Sequence, residues 1–177
     1  MDAALIIGVI ALIVATPSAI QMFWGKPKII FRFYTRDIEE HTILSCDIQN
    51  KPIEDSILKA LGVYRRSVVI SATLQIFEEG TNRPFLNEYM PDFFTYSEIR
   101  GARITLDSSV IPVTIDIISA RKKDGKVVRD EDELRDNLPS IPIGTYKVRV
   151  TLTADSDYIT MFHSFYVSDK YPYANWL

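Results

Sequence analysis

The chain has 177 residues, of which 47% are hydrophobic and 24% charged, and a formal net charge of −3. That length accommodates one domain with a short appendage, and the acidic balance argues against general nucleic-acid affinity, which needs a strongly positive surface. The single cysteine, Cys46, excludes an internal disulfide and any two-cysteine metal motif, a usage that fits a reducing compartment.

The first element is the run "AALIIGVIALIVATPSAIQMFWGKPK" from Ala3 to Lys28. Its 22 residues from Ala3 to Trp24 carry no charge, and Gln21 is the one strongly polar side chain among them. As a helix this run is roughly 33 Å long at 1.5 Å per residue, enough to cross a hydrocarbon layer of ~30 Å with some tilt. A cleaved signal peptide fits less well. Asp2 is the only charge before the apolar run, and Pro17 stands where a small residue belongs in a cleavage site. The expectation is therefore a retained transmembrane anchor over residues 1–27, with Trp24, Lys26 and Lys28 at the membrane interface. Basic residues follow the span (Lys26, Lys28, Arg32, Arg36) and none precede it, so the positive-inside bias places the body on the cytoplasmic side.

From residue 28 onward the period changes to two. "KIIFRFYT" alternates Ile29, Phe31 and Phe33 against Ile30, Arg32 and Tyr34, and "HTILSCDIQ" alternates Leu44, Cys46 and Ile48 against Ile43, Ser45 and Asp47. Both read as strands. "NKPIEDSILKALG" reads as a short helix ended by Gly62. "SVVISATLQIF", "ARITL" and "VTIDIISA" are further strands, and Lys123-Asp124-Gly125 marks a tight turn. "TYKVRVTL" sends Tyr146, Val148, Val150 and Leu152 inward, and "YITMFHSFYV" closes the series. Residues 80–100 and 121–143 read as insertions, the latter including the charged stretch "RDEDELRD". The fold class that follows is mainly β: an antiparallel β-sandwich of about seven strands over residues 28–177, preceded by one transmembrane α-helix.

"IPIGTYKVRVTL" followed by "MFHSFYV" resembles the last two strands of immunoglobulin-like and fibronectin-III-like domains. The resemblance implies a Gly-x-Tyr-x-Val-x-Val opening of the penultimate strand, with Tyr146 as the residue that forms a corner hydrogen bond. Val148 stands where an antibody-type domain has its second cysteine, and "SVVISATLQIF" has no core Trp, so the likeness is to a disulfide-free sandwich.

Chemistry-bearing motifs are few. There is no G-x-S-x-G elbow, phosphate-cradling glycine loop or dinucleotide fingerprint, and His41 and His163 have no carboxylate at ligand spacing. Asp155 and Asp157 read as turn formers. No catalytic residue, metal or cofactor is expected. Rings concentrate in "RPFLNEYMPDFFTYSEI" and in the tail "YPYANWL". They serve either as a flap over the sandwich edge, as a lipid contact or as a partner surface, for which the candidates are Tyr89, Phe93, Phe94 and Trp176. The functional expectation is a membrane-anchored, cytoplasmic-facing interaction or sensing module without catalytic activity, its partners the bilayer and a protein. The alternative is an extracytoplasmic adhesive or ligand-binding sandwich held by an uncleaved signal anchor.

Overall fold

The computed structural model describes residues 16, 18–81, 83–95, 98–108, 111–129, 140–155 and 157–177. Its strands are β1 (Ile29–Ile38), β2 (His41–Asn50), β3 (Val68–Glu78), β4 (Pro84–Tyr89), β5 (Phe93–Thr95), β6 (Glu98–Gly101), β7 (Arg103–Leu106), β8 (Val113–Lys123), β9 (Lys126–Arg129), β10 (Gly144–Ala154), β11 (Asp157–Val167) and β12 (Ala174–Trp176). They form two antiparallel sheets, an arrangement compatible with a β-sandwich. Sheet A has the order β1-β2-β8-β5-β6 with β9 beside β8, and sheet B the order β12-β11-β10-β3-β4 with β7 beside β3. Among the described residues twelve strands replace the expected seven: "ARITL" forms β7 as expected, whereas β4, β5, β6, β9 and β12 were not expected, and all of these but β4 have only three or four residues. Strands that short hold too few residues for a period of two to be visible. The segment 80–100, expected as an insertion, supplies β4 to sheet B and β5 to sheet A.

The long strands follow the expected alternation. Tyr146, Val148, Val150 and Leu152 are buried along β10, and Ile70, Ala72, Leu74 and Ile76 along β3. In β2 the buried set includes Leu44, Cys46 and Ile48. The β2–β8 register shifts between Leu44 and Ser45, so that Leu44 faces Ile118 while Ser45 faces Asp116. This bulge lets Ile115, Ile117, Ile118 and Ala120 all face inward, and it aims Asp116 outward.

The chain divides into two compact units, one from the described residues of 1–30, 49–68 and 105–112, the other from 31–48, 69–104 and 113–177. The first contains the short helix Ser56–Ala60, capped by the Asp55 carboxylate, which accepts from the Ile57 and Leu58 amides at 2.8 and 3.0 Å. Gly62 ends it with φ 72°, a left-handed conformation that glycine adopts without strain. Asn50 is fully buried in this unit. Its carbonyl accepts from the Lys28 amide at 3.0 Å, and its amide donates to the Arg66 carbonyl at 2.9 Å, so one side chain joins three segments.

In the second unit the two sheets are linked by side chains. Tyr89 Oη donates to the Ile117 carbonyl at 3.1 Å, and Trp176 Nε1 donates to the Tyr34 carbonyl at 2.9 Å. The Tyr146 hydroxyl donates to the Pro142 carbonyl at 2.8 Å, four residues upstream, which is the corner bond expected of it. Burial, with the Glu78 charge adding to it, pushes the Tyr146 phenol up to about 12.

Among the described residues no helix is long and apolar enough to cross a membrane. Residues 1–15 and Pro17, most of the expected span, lie outside the described residues, as does 130–139, which holds most of "RDEDELRD".

Candidate functional site

The described end of the apolar run is helical over residues 18–24 and is fastened to residues 61–66. The Gln21 side-chain amide donates to the Tyr64 carbonyl at 2.7 Å, and the Tyr64 amide donates back to Gln21 Oε1 at 3.1 Å. The pair reproduces the two-way bonding of a β-bridge with one side chain as a strand. Arg65 donates from one terminal nitrogen to the Trp24 and Lys26 carbonyls at 3.2 and 2.8 Å, which caps the end of the helix. The Arg66 amide donates to the Gly25 carbonyl at 2.8 Å. Gly25 is buried, and a Cβ there would stand 2.3 Å from the Gln21 carbonyl oxygen, so only glycine fits this approach.

Around this junction the surface is apolar and basic. Met22 and Phe23 are 63% and 65% exposed, and Trp24, Leu61 and Tyr64 are exposed too. A cleft of about 450 Å³ opens between the helix and the loop, lined by Gln21, Met22, Leu61, Tyr64 and Arg66 among others. Lys26 and Lys28, the expected interface residues beside Trp24, are exposed, as are Lys59 and Arg66 in the same unit. Gln21, Arg65 and Asn50 were not singled out as functional in the sequence. The signal for Gln21 was its solitude in an apolar run, whereas nothing local marks Arg65 or Asn50.

A second polar site lies on the outer face of sheet A, within the second unit. Arg36 forms an ion pair with Asp116 and donates Nε to Ser45 Oγ at 3.1 Å, while Ser45 Oγ donates to Asp116 at 2.6 Å. Beside this closed network Thr114 donates to Asp47 at 2.7 Å. Arg32, Tyr34, Asp47, Phe94 and Thr114 line a cleft of about 390 Å³. Burial raises the Tyr34 phenol, so it stays a neutral hydrogen-bonding group there. The cleft offers one cation outside the network, one carboxylate and one phenol, an arrangement suited to holding a small polar group.

The four residues expected to meet a partner do not form one surface. Phe93 is 0% exposed and belongs to the interior. Phe94, its neighbour on β5, turns to the outer face of sheet A, where the Arg36 guanidinium lies 5.2 Å from its ring. Tyr89 is half-buried and bonded across to sheet A. Trp176 is half-buried, stacked on His163 with ring centroids 4.9 Å apart and edge-on to Phe33 at 5.0 Å. The ring-rich tail is thus pinned to the body. Asp155 has φ 53° in the β10–β11 turn, the turn-forming use expected of it.

No protein-family model matches the chain, and no curated protein matches it.

Proposed function

We propose that the chain is a single-pass membrane protein whose first two dozen residues stay in the bilayer and whose β-sheet body faces the cytoplasm as an interaction module without catalytic activity. The observation that carries this reading is the junction at residues 18–28. The apolar run does not end in a loose linker; its last turn is bolted to the 61–66 loop by Gln21 and Arg65. The same turn leaves Met22, Phe23 and Trp24 exposed. Such side chains are each worth about 1.5–3 kcal/mol when removed from water, and a lipid interface removes them.

The basic groups support the orientation. Lys26 and Lys28 flank the run, and the fold adds Arg65 and Arg66 beside them, residues some forty positions away in sequence. Each Lys or Arg near an anionic cytoplasmic leaflet contributes about 1 kcal/mol of attraction.

Expression of the full chain with a carboxyl-terminal reporter tests both parts. Retention of the protein in the membrane pellet after alkaline carbonate washing supports the anchor, and release into the supernatant refutes it. A reporter that is active only outside the cytoplasm, fused after Leu177 and found active, reverses the side and favours the extracytoplasmic adhesive module.

A further inference from the structure

The outer face of sheet B belongs to neither site described above. The registers of β3, β10 and β11 set its side chains in rows across three strands, such as Thr73–Thr151–Thr160 and Gln75–Arg149–Phe162. Between Ser71 and Phe77, Lys147 and Thr153, and Tyr158 and Ser164, every side chain on this face is neutral or cationic. That is unexpected in a chain with 23 acidic and 20 basic residues. Lys147 Nζ lies 5.0 Å from the Phe162 ring, and the Arg149 guanidinium lies 5.8 Å from the Phe77 ring. Arg149 also donates to the Gln75 side-chain carbonyl, and among the described residues of β3, β10 and β11 no carboxylate stands in register with either cation on this face.

The rim of the same face is an open strand edge. β12 pairs with β11 only at Phe165, Tyr166 and Val167, and the Leu177 amide then donates to the Ser164 carbonyl at 3.0 Å. Backbone direction alternates along a strand, so the amides and carbonyls of Phe162, Thr160 and Tyr158 point the same way as Ser164, away from β10. Among the described residues nothing pairs with them. Edge strands are ordinarily guarded by Lys, Pro or a bulge. The stretch "YITMFH" from Tyr158 to His163 has none of these, and Tyr158 and Phe162 are 75% and 52% exposed.

We propose that this edge of β11 takes up an extended, acidic segment of a partner protein as an added strand. Main-chain hydrogen bonds to Tyr158, Thr160 and Phe162 supply the common affinity of strand addition. Alternate side chains of the added strand lie on the outer face, within reach of Lys147 and Arg149 across β11, and are acidic. The others lie on the inner side, beside half-buried Ile159 and exposed Met161, and are apolar. A second copy of this chain is the poorer occupant, because behind its own β11 edge the Lys147 and Arg149 of its β10 bring two more cations to the same face, and the β11 residues on that face bring no carboxylate. The proposal names the partner class of the interaction module and does not depend on the anchor.

The test uses the full chain in detergent micelles and fluorescence anisotropy of a labelled ten-residue peptide alternating Glu and Val, compared with one alternating Lys and Val. The expected result is saturable binding of the glutamate peptide, weakened by added salt. Thr160→Pro, which removes an outward amide without touching the β10 ladder, and the double variant Lys147→Glu with Arg149→Glu should each weaken it about tenfold or more. Their melting temperatures check the fold. If Thr160→Pro unfolds the hairpin, the double variant carries the test, because both side chains lie on the solvent side. Equal binding of the lysine peptide, no saturable binding, or a dimer in sedimentation that Thr160→Pro abolishes each overturns the proposal, the last by giving the edge to a second copy. Membrane retention is measured separately, so failure of the anchor and failure of this site read out as different results.

Discussion

Asn50 and Cys46 illustrate how two buried side chains of β2 impose opposite demands. Asn50 is polar and fully buried, which is tolerable because its carbonyl and amide both have backbone partners, Lys28 and Arg66. Asn50→Ala strips those partners while keeping them buried, and should lower stability by about 1–3 kcal/mol in a urea titration. An unchanged midpoint would mean that water replaces the amide. Cys46 asks for nothing of the kind. Burial pushes its thiol up to about 12, so the thiolate is scarce near neutrality. A thiol reagent at pH 8 should leave the native protein unmodified and label Cys46 stoichiometrically once urea unfolds it. Fast labelling of the native protein would show that β2 opens locally.

At the level of elements, β5 separates two neighbours that look identical in sequence. Phe93 and Phe94 differ only in the parity of a three-residue strand, yet one is fully buried and the other lies under Arg36 on the outer face. Phe93→Ala leaves a cavity and should cost about 3–5 kcal/mol. Phe94→Ala removes a partly exposed ring and one cation–π contact, of order 0.5–1 kcal/mol. Thermal melts of the two single variants check the contrast, and equal losses would contradict the register of β5. Parity could not be read from "DFFT" because no alternation surrounds it, whereas the eleven residues of β10 displayed theirs plainly. The helix Ser56–Ala60 was legible for a different reason, since its terminating glycine, Gly62, is a local signal.

At the scale of the whole molecule, one half-buried ring contributes a dependence of stability on pH. His163 sits between Phe33 and Trp176, and burial lowers its pKa from the ordinary 6.5. Its contribution is complete above 6.5, where both the folded and unfolded chains hold it neutral. As pH falls below 6.5 the unfolded chain binds the proton first, so stability declines until the folded pKa is passed. Melting temperature should therefore drop between pH 7.5 and 5.5 more steeply in the native protein than in His163→Phe, which keeps the stack without the titration. Parallel curves would remove His163 from the account. What the sequence determined by itself was local. Alternation of apolar residues made the chain mainly β, Tyr146 announced its corner bond, and the apolar run announced itself, because each depends on neighbours within a few residues. Only the tertiary structure decided that Gln21 bonds Tyr64, 43 residues on, that Ser45 meets Asp116, 71 residues on, and that β3, β10 and β11 present a face free of carboxylates beside an open edge. Strand order and register arise from packing between segments distant in the chain, and no window of sequence contains both partners of such a contact.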